Sequence, residues 1–141
     1  MISASFFTLV SLLTLTGTSL AAPATSPANP LQKRFEFTCS TPSYNYVPIG
    51  EAQQCVDLLL ARGTEDCVIP HETQVFCHLD HGSVTGTNIG PGGGSSLCRD
   101  VAWAAQTIIN GCGTVEGYVG GANAAGGNGA LIVHIDGRQA A

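Results

Sequence analysis

The chain has 141 residues, six cysteines and a formal net charge of −5. This length fits one small domain. Its only lysine, Lys33, and Arg34 precede every acidic residue, so the chain beyond them holds three arginines and ten acidic residues, a formal charge of −7. Such a surface repels nucleic acid phosphates and anionic lipids, which excludes binding to either that is driven by charge.

Residues 1–21 have the composition of a secretory signal peptide. The stretch from Ile2 to Leu20 is apolar or small, and the small residues ending at Ala21 match what a signal peptidase recognises. A membrane anchor is the competing interpretation, but the Ser and Thr content and the small residues at the end favour cleavage. The sequence therefore predicts a secreted, extracellular protein.

Residues 22–34 are predicted to be a spacer or propeptide. They are rich in Pro, Ala, Ser and Thr and have too few large apolar side chains to form a core. The spacer ends at the pair Lys33-Arg34, and proteases of the late secretory pathway cut after such dibasic pairs. Because strand-like sequence begins directly after the pair, we expect the mature domain to span 35–141. A chance surface pair is the alternative.

All six cysteines fall in the mature part: Cys39, Cys55, Cys67, Cys77, Cys98 and Cys112. An even number of cysteines in a small secreted domain predicts three disulfides. A zinc site is the weaker alternative, because the chain has no C-x-x-C pair and the expected compartment is oxidising. Six cysteines allow many pairings, and the sequence does not choose among them.

Two helices and five strands are predicted in the mature domain from three- and four-residue apolar steps and from alternating or β-branched runs. In chain order they are a strand at 35–39, a helix at 49–62, strands at 73–79 and 83–89, a helix at 95–112, and strands at 114–119 and 130–135. Residues 64–71 and 120–129 are predicted to be connections. This order is typical of an α+β sandwich in which two helices pack on one face of an antiparallel sheet, close to a split βαβ pattern.

The predicted helix at 95–112 is the element around which the rest of the domain is expected to pack. Its apolar residues share one face: Leu97, Val101, Ala104, Ala105, Ile108 and Ile109. Ser95 or Ser96 is expected to cap the first turn, and Gly111 and Gly113 are expected to end the helix. Trp103 is expected at the boundary between helix and sheet, because tryptophan is mostly buried.

Several short runs of the sequence carry a resemblance to known proteins. They are Gln74-Val75-Phe76-Cys77, Gly86, Ser95 to Ala102, Ile108 to Cys112, and Gly127 to Val133. Together they resemble the small secreted effector proteins of filamentous fungi, nearest to the extracellular effector and necrosis-inducing-factor domain family. More distantly, the chain is similar to the killer toxins carried by fungal viruses. The resemblance implies a role in plant cell death, immune modulation or antagonism of other microbes.

Two sets of side chains are candidates for chemistry. His78 and His134 are expected on the same open face of the sheet, where a metal site or an acid–base pair is conceivable. No spacing matches a known ligand motif, so solvated histidines are the favoured interpretation and neither a metal nor a cofactor is predicted. The second set is Glu72, Arg99 and His134, which could be the base, phosphate clamp and acid of a small secreted ribonuclease.

A partner-binding surface is predicted on the sheet face that points away from the helices. Phe76, His78, Ile132 and His134 are expected there, and exposed apolar residues on a sheet can mark a binding surface. The sequence thus predicts a non-enzymatic effector or toxin-like domain that binds an extracellular protein or membrane target of a host or competitor. Two alternatives stay open, a killer-toxin-like antimicrobial protein and a small hydrolase such as a ribonuclease.

Overall fold

The computed structural model describes residues 35–41 and 45–138. The predicted signal peptide at 1–21 and spacer at 22–34 lie outside the described residues, with the expected processing positions Ala21, Lys33 and Arg34. Within the described residues, two helices pack against one face of an antiparallel sheet around a single apolar core. The predicted α+β class is therefore confirmed.

The two helices form one layer of the domain. Helix α1 spans Ile49–Arg62 and helix α2 spans Cys98–Cys112. The predicted bounds of α1 are confirmed, and Gly63 ends it with a φ of 55°, a conformation that glycine adopts without steric cost. Helix α2 begins three residues later than predicted, because Ser95 and Ser96 belong to a strand. Neither serine caps the helix, and no side chain makes a capping hydrogen bond to its first turn.

The strands in the described residues are β1 (Thr38–Cys39), β2 (Val47–Pro48), β3 (Asp66–Ile69), β4 (Thr73–His78), β5 (Gly82–Asn88), β6 (Gly94–Leu97), β7 (Tyr118–Val119), β8 (Gly121–Ala125) and β9 (Asn128–Gly137). Five of them form the main antiparallel sheet, in the order β1-β8-β9-β5-β4. The other four form two ribbons, β2–β7 and β3–β6. Strand β9 lies at the centre of the main sheet and turns Leu131, Val133 and Ile135 toward the helices.

Besides the two-residue β2, which falls in a stretch interpreted from sequence as a loop, three strands lie where the sequence predicts a connection or a helix. Strand β3 falls in the predicted connection at 64–71, and its partner β6 falls at the predicted start of α2. Strand β8 falls in the predicted loop at 120–129 and joins β9 through a tight turn at Gly126-Gly127. Each is short and lacks its own apolar alternation, so pairing with a neighbouring strand decides its conformation.

Each of the three disulfides joins a helix to a strand. The pairs are Cys39–Cys112 between β1 and α2, Cys55–Cys77 between α1 and β4, and Cys67–Cys98 between β3 and the first residue of α2. The predicted count of three disulfides is confirmed. Because such bonds form and persist in oxidising compartments, the protein matures in one.

The core lies between the helix layer and the main sheet. Its largest fully buried side chains include Leu59 and Ile108 from the helices and Leu131 from β9. Burying each such side chain stabilises the fold by about 1.5–3 kcal/mol. Gly121 permits the close approach of both α2 and β1. A Cβ atom there would lie 3.1 Å from Cγ2 of Ile108 on α2 and 2.5 Å from the carbonyl oxygen of Thr38 on β1.

Candidate functional site

The sheet face opposite the helices carries three of the four residues predicted to bind a partner: His78, Ile132 and His134. The cross-strand neighbours of Ile132 and His134 are small or bear hydroxyl groups: Ala122, Ala124, Thr85 and Thr87. Ile132 is only 1% exposed, whereas His78 is exposed and His134 is half-buried. This face therefore offers hydroxyl, small and imidazole groups, and Ile132 adds no exposed apolar surface to it.

Phe76 does not lie on this face, which corrects the sequence-based prediction. Strand β4 has a bulge between Val75 and Cys77, so Phe76 and His78 lie on opposite faces of the sheet although they are two residues apart. Val75 pairs with Thr85 on the outer face, whereas the Phe76 ring packs against the core above Gly86. The predicted cluster of Phe76 with the other three residues is not formed.

His134 and Asp136 lie two residues apart on the same face of β9. Burial lowers the pKa of His134, although the charge of nearby Asp136 opposes this shift. Burial likewise raises the pKa of Asp136 against the opposing influence of His134. Because burial outweighs the mutual attraction for both groups, each favours its neutral form more strongly than it would in water.

Glu72, Arg99 and His134 are not brought together, so the ribonuclease hypothesis loses its proposed constellation. Glu72 lines a cleft at one end of the main sheet. Arg99 lies in the first turn of α2, with its Nε 3.8 Å from a carboxylate oxygen of Asp100. His134 lies on the far face of the sheet, so the sheet separates it from Arg99.

A groove between the two helices carries two exposed apolar side chains. Trp103 of α2 is 70% exposed and Leu60 of α1 is 42% exposed. They border a groove of about 210 Å³ whose lining includes Val56 and Ala102. The expectation that Trp103 packs between helix and sheet is wrong. A sequence signal for its exposure exists, because Trp103 shares its helix face with polar residues at three- and four-residue steps: Arg99, Gln106 and Asn110.

Uncharged polar side chains hold the helix groove in place. The Nε2 of Gln53 on α1 donates a hydrogen bond to Oε1 of Gln106 on α2 at 2.9 Å. The Nε2 of Gln106 donates to Oδ1 of Asn110 at 3.1 Å along the same helix. An exposed aromatic side chain beside a small groove with an uncharged lining is typical of a protein-binding surface.

His81 joins the turn between β4 and β5 to the first turn of α1. Its backbone N–H donates to Oε2 of Glu51 at 3.1 Å, and its ring Nδ1 contacts Oε1 of the same carboxylate. Burial alone would raise the pKa of Glu51, but the hydrogen bonds from His81 outweigh burial and hold this pKa below its ordinary value of 4.5. Because the pKa of Glu51 is lowered in the folded state, its ionised carboxylate stabilises the fold at pH values above the ordinary pKa of 4.5. This contribution is lost as the pH falls through the lowered pKa of the folded state.

Replacing Glu51 with glutamine should therefore weaken the acid dependence of stability. We expect Glu51→Gln to be less stable than the wild type by about 0.5–1 kcal/mol at neutral pH. The two free energies of unfolding should converge as pH falls from about 6 to about 3. Urea unfolding at a series of pH values measures both, with the exposed Glu116→Gln as the control. An unchanged pH slope in the Glu51 variant would contradict the assigned role.

The four histidines of the described residues lie on two strands and in two turns: His71, His78, His81 and His134. In the part of the chain that the structure describes, no group of three or more His, Cys, Asp or Glu side chains is placed to hold a metal ion. Across the same residues, neither helix has the length and apolar character needed to cross a bilayer.

A protein family is similar to this chain over most of its described residues. No significant match was found among curated proteins or solved structures. A family model matches residues 34–137, from Arg34 to the last residue of β9. This segment contains both helices and all the strands described above. The chain thus belongs to the family described as Domain of unknown function (DUF8794).

Proposed function

We propose that this protein is a secreted effector that binds a protein outside a host or competitor cell through the groove between α1 and α2. The observation that supports this binding mode best is Trp103, 70% exposed beside Leu60 on a cross-linked helix pair. The three disulfides suit an extracellular compartment. The sequence resemblance to fungal effectors points to the same class of protein.

The energetic argument rests on the cost of leaving Trp103 in water. Covering its exposed surface in a partner pocket is worth on the order of 3 kcal/mol. Tryptophan is enriched among the few residues that dominate protein–protein affinity. The adjoining groove, with Val56 and Ala102 in its lining, is wide enough for one apolar side chain from the partner. In such a complex the Trp103 side chain would enter a pocket of the partner, and one apolar side chain of the partner would enter the groove.

Charge favours a protein partner over a lipid surface. The chain beyond Arg34 carries a formal charge of −7 and no lysine. A negative field of this kind repels anionic lipid headgroups and speeds encounter with a basic protein surface. We therefore place a protein with a basic rim around an apolar pocket first among the possible targets.

Replacing Trp103 with alanine should lower binding to target cells at least tenfold and leave the fold intact. The large exposed fraction of Trp103 means that stability should change by less than about 0.5 kcal/mol. The measurement is the binding of fluorescently labelled secreted protein to leaf cells and to cultured fungal and bacterial cells. Cell death in the leaf and growth in culture are scored in parallel, which separates a plant-directed effector from an antimicrobial protein.

The matched control is Val115→Ala, because Val115 is 100% exposed but lies outside the groove. This variant should bind like the wild type. Protease treatment of the cell surface should abolish binding if the target is a protein. Equal binding by the Trp103 and Val115 variants, or binding that survives the protease, would refute the proposal.

A further inference from the structure

A cleft of about 940 Å³ lies at one end of the main sheet and shares no lining residue with the helix groove. One wall is the turn from Pro70 to Glu72, which joins β3 to β4. The other wall is the loop from Ile89 to Gly93, which joins β5 to β6. Thr73 and Thr87 lie between the walls and pair with each other across β4 and β5. A volume of this size lies in the range of small-ligand sites, about 300–1,000 Å³.

Hydrogen bonds within the protein fix the two walls of the cleft in the absence of a ligand. The Nδ2 of Asn88 donates hydrogen bonds to the carbonyl oxygens of Gly90 and Gly92. Its Oδ1 accepts a hydrogen bond from the backbone N–H of Gly90 at 3.2 Å. The backbone N–H of Asn88 donates to the carbonyl oxygen of Glu72 at 2.8 Å, which ties one wall to the other. Such preorganisation lowers the entropy lost on binding.

Close backbone packing at the root of the cleft requires a glycine. A Cβ atom on Gly93 would lie 2.9 Å from the carbonyl oxygen of Ile69, closer than real Cβ contacts allow. Ile69 pairs with Gly94 at the end of the β3–β6 ribbon, and Cys67–Cys98 fastens that ribbon to α2. Both wall segments are therefore attached to this cross-linked ribbon, one directly after β3 and the other directly before β6.

The lining of the cleft is polar but nearly uncharged. Glu72 is its one carboxylate and His71 its one imidazole, and both side chains are exposed. Thr73 and Thr87 add hydroxyl groups that donate and accept, and the glycines leave backbone groups accessible. Ile89 adds a small apolar surface, because its side chain is 55% exposed.

We infer that this cleft binds a neutral oligosaccharide. No arginine or lysine lines it, so phosphate, sulfate and nucleic acid find no counter-charge. A sugar chain can exchange its bonds to water for bonds to the Glu72 carboxylate, the two threonine hydroxyls and the loop backbone. The apolar side of a sugar ring can pack on Ile89. Glycoside hydrolysis uses a pair of carboxyl groups, and Glu72 is the one carboxylate in the lining, so binding without cleavage is expected.

The test uses the secreted chain and three soluble probes, oligomers of glucose, of N-acetylglucosamine and of mannose. Titration is followed by amide chemical shifts and by the fluorescence of Trp103, the only tryptophan in the chain. We expect one probe class to shift the amides of Thr73, Thr87 and the Ile89–Gly93 loop. Trp103 fluorescence should stay constant. The class that binds identifies the glycan source.

Two variants decide whether the cleft itself is responsible. Glu72→Gln keeps the shape but removes the charged acceptor, so affinity should fall about tenfold, equivalent to about 1.4 kcal/mol. Thr87→Val replaces a hydroxyl with a methyl group of similar size and should also weaken binding. Glu116→Gln, at an exposed position outside the cleft, should bind like the wild type.

Three results would overturn the inference. They are the absence of shifts with all three probes, shifts on α2 with quenching of Trp103, and full affinity in Glu72→Gln. Shifts on α2 with quenching of Trp103 would place the sugar at the helix groove, whereas the other two results leave the groove untouched. The binding of a protein partner to the groove is tested separately, on protease-treated cells. The two proposals therefore fail independently.

Discussion

Replacing Cys39 and Cys112 together with alanine should lower the free energy of unfolding by about 4 kcal/mol. This disulfide has the largest sequence separation of the three, 73 residues. The entropy that a cross-link removes from the unfolded chain grows with the length of the loop it closes. Strand β1 is two residues long and lies at an edge of the main sheet, so apart from this bond it is held by its pairing with β8 and its contacts with α2. Urea unfolding of the variant and the wild type measures the loss.

The matched control is the double alanine replacement of Cys55 and Cys77. Their bond spans 22 residues, for which the same chain-entropy argument gives about 3 kcal/mol. The Cys39–Cys112 variant should therefore be the less stable of the two. The reverse order would mean that packing in the folded state, and not the entropy of the unfolded chain, sets the contribution of each bond.

Helix α1 could be placed from sequence because its whole signal is local. Apolar residues such as Ala52, Val56 and Leu59 keep the helical step, and Gly63 supplies the left-handed residue that ends it. The pattern needs no knowledge of what the helix packs against. The three disulfides were likewise predictable in number, but their pairing depends on which strands lie under which helix.

Strands β3, β6 and β8 could not be predicted, because their conformation depends on a partner. The sequence of β8, Gly121–Ala125, contains only glycine, alanine and asparagine, which favour strands poorly. It is a strand because β9 offers an edge of unpaired backbone groups beside it. Strands β3 and β6 pair only with each other in the described residues, so missing one in the sequence meant missing both.

The candidate site shows the same division between local and non-local information. The exposure of Trp103 follows from the helix face that it shares with Arg99 and Gln106, so the sequence contained the answer. Phe76 and His78 lie on opposite faces of the sheet because of a bulge in β4, which no residue of that strand predicts. The cleft joins two connections that are close only because β3–β6 and β4–β5 end side by side.

Replacing Gly86 with alanine should destabilise the protein by up to about 3 kcal/mol, the usual range for overfilling a packed core. A Cβ atom at this position would lie 2.4 Å from Cε2 of Phe76 and 2.9 Å from Cδ1 of Ile69. Both side chains belong to the core side of the sheet, so neither can swing into water without losing buried contacts. Thermal or urea unfolding measures the change, with Gly129→Ala as the control. Gly129 also lies in a strand, but an added Cβ atom there meets nothing within 4 Å.

A double-mutant cycle then tests the inward position of Phe76. Phe76→Leu shortens the side chain that fills the space above Gly86, so the double variant should be more stable than the sum of the two single effects predicts. We expect a coupling energy of about 1 kcal/mol or more, as is found for residues in direct contact. If Phe76 shared the outer face with His78, as a regular alternation between these two residues requires, it would not touch residue 86. The two substitutions would then add within about 0.5 kcal/mol, and the inward position of Phe76 would have to be abandoned.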